Sequence, residues 1–424
     1  MGMSPLTGDA AARSAPEPGA RPRSVRSQQV DLVGSLLARL PHAEDAVAWV
    51  RDGVGLVGWG VAARIEVSGP DRFAQARAWW QELTAGLEVA DEVGVRGSGP
   101  VAFGSFAFRD DAQSVLVVPQ VVLGHSAEGS WLTTVDQPPR LASPEPVRQT
   151  EGLRYARGEM GVEDFRAAVR RAVARIDAGD LDKVVLAHDL LAVADDDIDV
   201  RAVLNGLAAR NPDCWTYAVD GLVGATPELL VSRHGDRMVS RVLAGTTARG
   251  GDEADDRARV ASLMSSGKDQ EEHRFAVESL VQALAPHVRS LSAPVPPHAL
   301  PLSNVTHLAT DVTGVVDDGS DVLDLVAALH PTAAVGGTPR GAALDLLAEL
   351  EPMDRGRYAG PVGWVDASGD GEWGIALRCA QLSGRTARLF AGCGIVAGSD
   401  PDAEVLEAQA KLVPVRDALE GVTG

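Results

Sequence analysis

The chain has 424 residues, of which 45% are hydrophobic, enough to build a large buried core. It carries 39 Lys and Arg against 59 Asp and Glu, a formal net charge of −20. This balance argues against nucleic-acid binding, which needs a basic surface. No run of apolar residues approaches about 18 residues, so the chain also lacks the pattern of a membrane-spanning segment. We therefore expect a soluble, cytoplasmic protein with no nucleic-acid or membrane partner.

The N-terminal third of the chain divides into two parts. Residues 1–28 are rich in Ala, Pro, Gly, Ser and Arg and lack the apolar stretch of a signal peptide, so we predict a disordered tail. In residues 29–150, short apolar strands alternate with turns, and one helix carrying Phe73 and Trp80 interrupts them. We expect this part to contribute structure and little chemistry.

Residues 151–420 contain longer elements. A helix is predicted at Glu163–Ala178 from its apolar stripe, and helical pattern also covers Asp252–Leu284 with a break near Gly267. A single strand is predicted at Gly371–Leu382, and a final helix at Asp402–Val413. Strands joined by hairpins, with helices inserted in groups, predict an α+β fold with antiparallel sheets flanked by helices. We expect 29–150 and 151–420 to form one structural unit.

Lys183 is the first anomalous residue. It opens the run Lys183-Val-Val-Leu-Ala-His-Asp-Leu-Leu, which otherwise has the pattern of a buried strand. A lysine in such a place either extends its ammonium to the strand edge, the commoner outcome, or loses its solvation. Desolvation lowers the pKa of an ammonium group, and the neutral amine can then act as a base. The residues alone leave both outcomes open.

Two acidic residues on predicted helices are candidate metal ligands. Glu272 continues the apolar stripe of its helix by one turn, and a carboxylate facing a core needs a cation, for which a metal is one candidate. Alternatively, this turn protrudes and Glu272 only stabilises the helix N-terminus. Glu407 and Lys411 have the spacing of an exposed helix-stabilising pair. They follow the glycine loop 391–394, whose free amides suit a carboxylate or phosphate.

Three further polar residues lie at the start of, or within, apolar strand-like runs. Glu228 follows Gly-Ala-Thr-Pro and opens a strand. If its side chain lies against apolar residues, the pKa of its carboxyl would rise and it could act as a general acid. In an exposed turn, the side chain would instead face water. His307 and Arg378 lie inside strand-like runs, where a core histidine and an edge arginine are the usual interpretations. With Lys183, these residues supply a base, an acid and cationic anchors.

Residues 161–412 resemble the chorismate-utilising enzymes, which include isochorismate, salicylate, anthranilate and aminodeoxychorismate synthases. The resemblance implies the fold of anthranilate synthase component I, with residues 29–150 as its more variable first part. Eight blocks in the same order carry it: Asp182-Lys183-Val-Val-Leu, Gly224-Ala-Thr-Pro-Glu228-Leu-Leu, Leu243-Ala-Gly245-Thr, Lys268-Asp-Gln-Glu-Glu272-His273, His330-Pro-Thr-Ala-Ala334-Val-Gly-Gly-Thr-Pro, Gly371-Glu-Trp373 through Arg378-Cys-Ala, Phe390-Ala-Gly392-Cys-Gly-Ile-Val, and Glu407-Ala-Gln-Ala-Lys411-Leu.

Within the family, the sequence is most similar to the isochorismate synthases. This resemblance implies that water adds at C2 of chorismate while the C4 hydroxyl leaves, and that the product feeds menaquinone or catechol siderophore synthesis. It implies Lys183 as the base, Glu228 as the acid, and Glu272 and Glu407 as ligands of a Mg²⁺ ion that binds the ring carboxylate. The substrate-binding residues that it implies are Gly245, His307, Ala334, Arg378, Gly392 and Lys411.

Two positions separate the subfamilies. Lys183 favours water as the nucleophile. By the same resemblance, the anthranilate-forming relatives have a non-basic residue at this position and use ammonia. Ala334 stands where the lyase and amine-forming members tend to carry threonine. The alternatives are a salicylate synthase and an anthranilate or aminodeoxychorismate synthase component. We expect the protein to be a monomer.

Overall fold

A computed structural model describes residues 22–138, 140, 143–249, 252–302 and 305–422. Within these residues, the chain forms eight α-helices and 23 strands. The helices are α1 (Arg72–Ala85), α2 (Val162–Asp177), α3 (Val200–Arg210), α4 (Glu253–Ser265), α5 (Gly267–Leu284), α6 (Val322–Leu329), α7 (Arg340–Leu350) and α8 (Pro401–Leu419). The strands are β1 (Ser24–Gln29), β2 (Val47–Arg51), β3 (Val54–Trp59), β4 (Ala63–Val67), β5 (Glu88–Asp91), β6 (Val101–Ser105), β7 (Ser114–Val118), β8 (Val121–Ser126), β9 (Gly129–Val135), β10 (Arg154–Arg157), β11 (Lys183–Val193), β12 (Trp215–Val219), β13 (Leu222–Thr226), β14 (Leu229–His234), β15 (Arg237–Ala248), β16 (Val288–Ser292), β17 (His298–Pro301), β18 (Val305–Val316), β19 (Gly337–Thr338), β20 (Pro361–Asp366), β21 (Gly371–Ile375), β22 (Cys379–Ser383) and β23 (Thr386–Ile395).

The described strands assemble into two sheets. The larger has 13 strands in the order β10-β11-β23-β22-β13-β12-β2-β3-β8-β9-β1-β5, with β19 paired to β11. The smaller has 10 strands in the order β16-β18-β15-β14-β21-β20-β6-β7-β4, with β17 paired to β18. Among these strands, only β1 and β5 pair in parallel. The predicted α+β class with antiparallel sheets is confirmed.

Both sheets combine strands from the two parts of the chain. In the larger sheet β2 pairs with β12, and in the smaller sheet β6 pairs with β20. The sheets also meet through side chains: Trp49 Nε1 on β2 donates a hydrogen bond to Glu372 Oε2 on β21 at 2.8 Å. A single cluster of buried apolar residues includes Trp49 and Trp373, one from each sheet. The N-terminal strands thus share the core that supports the rest of the chain.

Different helices pack against each of the two sheets. Helices α2, α3 and α8 pack against the larger sheet, and α4, α5 and α6 pack against the smaller one. The predicted break in the long helical stretch is confirmed: the Ser266 hydroxyl accepts a hydrogen bond from the Asp269 backbone N–H at 3.2 Å, which ends α4 and caps α5. No helix in the described part of the chain is both long and apolar enough to cross a bilayer.

Three elements differ from the sequence-based predictions. Strand β1 pairs with β5 and β9, so regular structure begins at Ser24, inside the predicted tail of residues 1–28; residues 1–21 lie outside the described residues. The predicted strand Gly371–Leu382 is two strands, β21 and β22, because Arg378 between them adopts a left-handed conformation with φ of 47°. The last helix continues through Pro414 to Leu419, beyond its predicted end.

Candidate active site

A gap in the larger sheet borders a cavity. Strand β23 pairs with β11 along its whole length, but β22 pairs with it only as far as Cys379 opposite Phe390. The chain turns away at Arg378, so the last residues of β23 have no described strand beside them on that side. A cavity of about 260 Å³ lies against this uncovered stretch, lined there by residues 391–394.

All ten site residues predicted from the sequence line this one cavity. They come from strands, helices and loops that lie far apart along the chain, so only the fold brings them together. The ten residues are Lys183, Glu228, Gly245, Glu272, His307, Ala334, Arg378, Gly392, Glu407 and Lys411.

Lys183 forms an ion pair with Glu272. It is the first residue of β11, and its Nζ lies 2.5 Å from Glu272 Oε1 on α5. The lysine side chain is 13% exposed and the glutamate side chain 25%. Gly394 across the ladder leaves space for the amine, because a Cβ there would lie 2.8 Å from Lys183 Cε. The lysine therefore points into the cavity with a carboxylate partner, which neither interpretation from the sequence included.

Glu228 is the buried acid of the cavity. It stands between β13 and β14 and is only 7% exposed. Burial raises the pKa of its carboxyl to about 8, although the positive charges of Lys183, Lys411 and Arg378 oppose that rise. The group is therefore mainly protonated at neutral pH and can donate a proton. Its backbone is fixed on both sides, since its N–H donates to Thr226 Oγ1 and its carbonyl accepts from the Ile375 N–H.

Arg378 and His307 form a buried pair. Arg378 Nη2 lies 3.4 Å from His307 Nε2, and because a guanidinium can only donate, Nε2 accepts and Nδ1–H donates to Thr246 Oγ1 at 2.9 Å. Burial, with the nearby charges of Arg378 and Lys411, lowers the pKa of His307 to about 3, so the ring is neutral. Arg378 Nη1 is buried and has no hydrogen-bond partner among the described residues. A desolvated guanidinium with a free N–H is well suited to bind a carboxylate.

Two glycines and one lysine shape other parts of the cavity wall. Gly245 has φ of 80° in a bulge of β15, where the pairing with β18 shifts register. Gly392 lies close to β11, because a Cβ there would stand 2.3 Å from the Leu186 carbonyl oxygen. Lys411 Nζ on α8 donates to the Gly392 carbonyl at 3.0 Å and to Glu407 Oε1 at 2.8 Å. These contacts hold the Lys411 ammonium at the cavity wall.

The carboxylates of the cavity can supply some, but not all, of the ligands of a magnesium ion. Glu272 and Glu407 line it, as do Glu404 and Asp269, which the sequence interpretation missed. Within the described residues, no three His, Cys, Asp or Glu side chains converge closely enough to hold a metal by themselves. Magnesium commonly takes only one or two protein carboxylates and completes its shell with water and substrate oxygens. The oxygen donors present therefore suit a Mg²⁺ ion shared with an acidic substrate.

Arg355 is a buried supporting residue that the sequence interpretation also missed. It forms an ion pair with Glu351 at 2.6 Å and donates hydrogen bonds to the carbonyls of Val335, at 3.0 Å, and Val185, at 2.5 Å. It thus fixes the start of β11 and the loop that contains Ala334. The sequence offers no local signal for this role, since Asp-Arg-Gly-Arg is typical of an exposed turn.

Comparison with known proteins identifies the family of the chain. Residues 23–137 and 134–420 match the protein family described as chorismate binding enzyme. The chain belongs to this family. Isochorismate synthase DhbC of Bacillus subtilis strain 168 is 37% identical to this chorismate binding enzyme over 327 residues, which cover 74% of this chain and 79% of the relative.

Solved structures confirm the predicted family fold. The menaquinone-specific isochorismate synthase MenF from Escherichia coli superposes with a TM-score of 0.78 at 25% identity, covering 94% of this chain and 95% of that one. Anthranilate synthase component I from Streptococcus pneumoniae TIGR4 gives a TM-score of 0.70 at 20% identity, covering 86% and 92%. The second likeness concerns the fold alone.

Proposed function

We propose that this chorismate binding enzyme is an isochorismate synthase, acting as a cytoplasmic monomer. The observation that carries the proposal is one cavity that contains a buried acid with a raised pKa at Glu228, an amine at Lys183, and at Arg378 a guanidinium with one N–H group that has no partner among the described residues. Moving a hydroxyl around the ring of chorismate requires an acid, a base and cationic anchors for two carboxylates. The similarity to isochorismate synthase DhbC over most of the chain supports the same assignment.

In the proposed reaction, Lys183 and Glu228 transfer protons at two positions of the ring. Lys183 Nζ accepts a proton from water as the water oxygen bonds to C2. The carboxyl of Glu228 donates its proton to the C4 oxygen, and the C4–O bond breaks with release of water. The ring double bonds shift between these positions, so one water enters and one leaves. The raised pKa of Glu228 keeps its proton available at neutral pH.

The cationic residues of the cavity would orient the substrate. A chain with a net charge of −20 repels anions at long range, so local positive groups must hold the two carboxylates. Arg378 and Lys411 provide them, and the peptide groups of β23 around Gly392 add donors where no described strand covers them. The contact with neutral His307 fixes the orientation of Arg378.

Glu272 and Glu407 would hold Mg²⁺ in the working enzyme. The bound ion would offset the negative charge of the ring carboxylate. Glu272 Oε1 is also the partner of Lys183 Nζ. Sharing this carboxylate with the ion would weaken its ion pair with Lys183 Nζ and would leave the lysine side chain freer to reach the water.

Analysis of the products by chromatography tests the proposal. Purified protein with chorismate and Mg²⁺ should form isochorismate alone, destined for menaquinone or a catechol siderophore. Salicylate with pyruvate would replace the proposal with a salicylate synthase, and a requirement for ammonia would indicate an amine-forming synthase component. If there is no turnover and no change in melting temperature with chorismate and Mg²⁺, the protein is not such an enzyme.

A further inference from the structure

A second cavity adjoins the first behind the acid. It has a volume of about 120 Å³, and Glu228 and Ala334 line both cavities. Away from Glu228, its walls come from α5, α6 and β15. Two of its lining residues, Ser279 and Arg340, are exposed to solvent, whereas Glu228 is buried. The second cavity therefore extends from the buried acid toward exposed residues that do not line the first cavity.

The proposed reaction creates a need for such a connection. In each turnover Glu228 gives its proton to the C4 oxygen, and it must regain one before the next turnover. A bound ring in the first cavity would stand between Glu228 and the solvent on that side. An ionised carboxylate in a buried position is unfavourable. A second route would allow a proton from solvent to neutralise it while the first cavity is occupied.

The second cavity contains polar groups that can hold water. Thr332 lines it, and its buried Oγ1 has no hydrogen-bond partner among the described residues. Ser240 and Thr338 line it too, and the Ser240 hydroxyl donates a hydrogen bond to the Leu230 carbonyl at 2.7 Å. A buried hydroxyl with no protein partner is normally bonded to ordered water. At roughly 30 Å³ for each water in the liquid, the volume has room for several molecules.

We propose that the second cavity is a water-filled passage that serves Glu228. Through it a proton from solvent reaches the ionised carboxylate after each turnover, and the water formed from the C4 hydroxyl leaves. The proton count balances, because Glu228 regains from solvent the proton that left with the hydroxyl, and Lys183 returns to solvent the proton that it took from water. This inference rests on the proposed isochorismate synthase activity.

Variants that fill the passage test the inference. Ala328→Leu on α6 and Ala283→Leu on α5 place bulk at lining residues that do not line the substrate cavity. Ala327→Leu is the matched control, since Ala327 is also half-buried on α6 but lines neither cavity. We expect kcat to fall about tenfold or more in the filled variants, with an unchanged KM for chorismate and a larger solvent isotope effect on kcat in D₂O.

The possible outcomes separate this inference from the proposed function. A parent protein that forms no isochorismate overturns both. An active parent whose filled variants keep its kcat and isotope effect overturns the passage alone. Should the leucine variants not fold, Thr332→Val removes the free hydroxyl without adding bulk and should also lower kcat. A crystal structure provides a test without turnover: ordered water between Glu228 and Ser279 supports the passage, and a dry cavity refutes it.

Discussion

Glu228→Gln removes the proton that the proposed mechanism depends on. With its pKa raised from the ordinary value of 4.5 to about 8, the carboxyl is roughly nine-tenths protonated at pH 7, against about 0.3% at the ordinary value. Burial thus supplies roughly 300 times more of the acid form at neutral pH. Glutamine has nearly the same shape and cannot donate this proton. We therefore expect a loss of about 10²- to 10⁴-fold in kcat/KM.

The pH dependence of both activity and stability should follow the same carboxyl. In the parent, kcat/KM should fall about tenfold per pH unit above pH 8, because this parameter reports groups of the free enzyme. Between about pH 4.5 and 8 the folded protein retains a proton that the unfolded chain has released, so the free energy of unfolding should decrease as pH rises through that window. The glutamine variant should lose this part of the decrease.

Kinetics from pH 6 to 9.5, with thermal melts at each pH, would measure both effects. Glu271→Gln is the matched control, because Glu271 is exposed on α5 and does not line the cavity. A parent profile that stays flat between pH 7 and 9.5, or a Glu228→Gln variant with near-normal turnover, would refute the assignment of Glu228 as the acid.

Lys183→Ala should abolish water addition while leaving the circular dichroism spectrum unchanged, and near-normal turnover would remove Lys183 from the role of base. Glu272→Gln should raise the Mg²⁺ concentration needed for half-maximal activity about tenfold or more, with Glu271→Gln again as control; an unchanged metal titration would return Glu272 to a structural role. Gly394→Ala should lower kcat with little change in melting temperature, because the atoms nearest to its Cβ beyond the neighbouring residues would belong to flexible side-chain ends, with Lys183 Cε at 2.8 Å and Glu272 Oε1 at 3.9 Å. Unchanged kcat in that variant would show that the lysine needs no fixed position.

Local patterns in the sequence predict most of the elements. Helix α2 lies within one residue of its predicted bounds at each end, because an apolar stripe at helical spacing specifies it locally. The interruption between β21 and β22 was not predictable in the same way. The run 371–382 is mostly apolar and contains no proline, and the residue that adopts the left-handed conformation is an arginine rather than a glycine. Its conformation depends on contacts formed only in the folded protein.

The candidate site followed from family resemblance more than from the residues themselves. The sequence around Lys183 left two environments open, and the structure shows a third, an ion pair with a residue 89 positions away. Pairings of this kind depend on how α5 packs against β15, which no local pattern encodes. For the same reason Arg355, whose partners include two backbone carbonyls of distant segments, was not found.

The uncovered stretch of β23 also bears on how the protein avoids self-association. Free N–H and C=O groups along a strand are a template on which another chain can add a strand and begin to aggregate. Here those groups face a cavity inside the fold, with α8 packed against β23. Another polypeptide therefore cannot extend this sheet from the gap, although a small carboxylate can use its donors. In the proposed enzyme, the fold would present backbone hydrogen-bonding groups to the substrate while withholding them from other proteins.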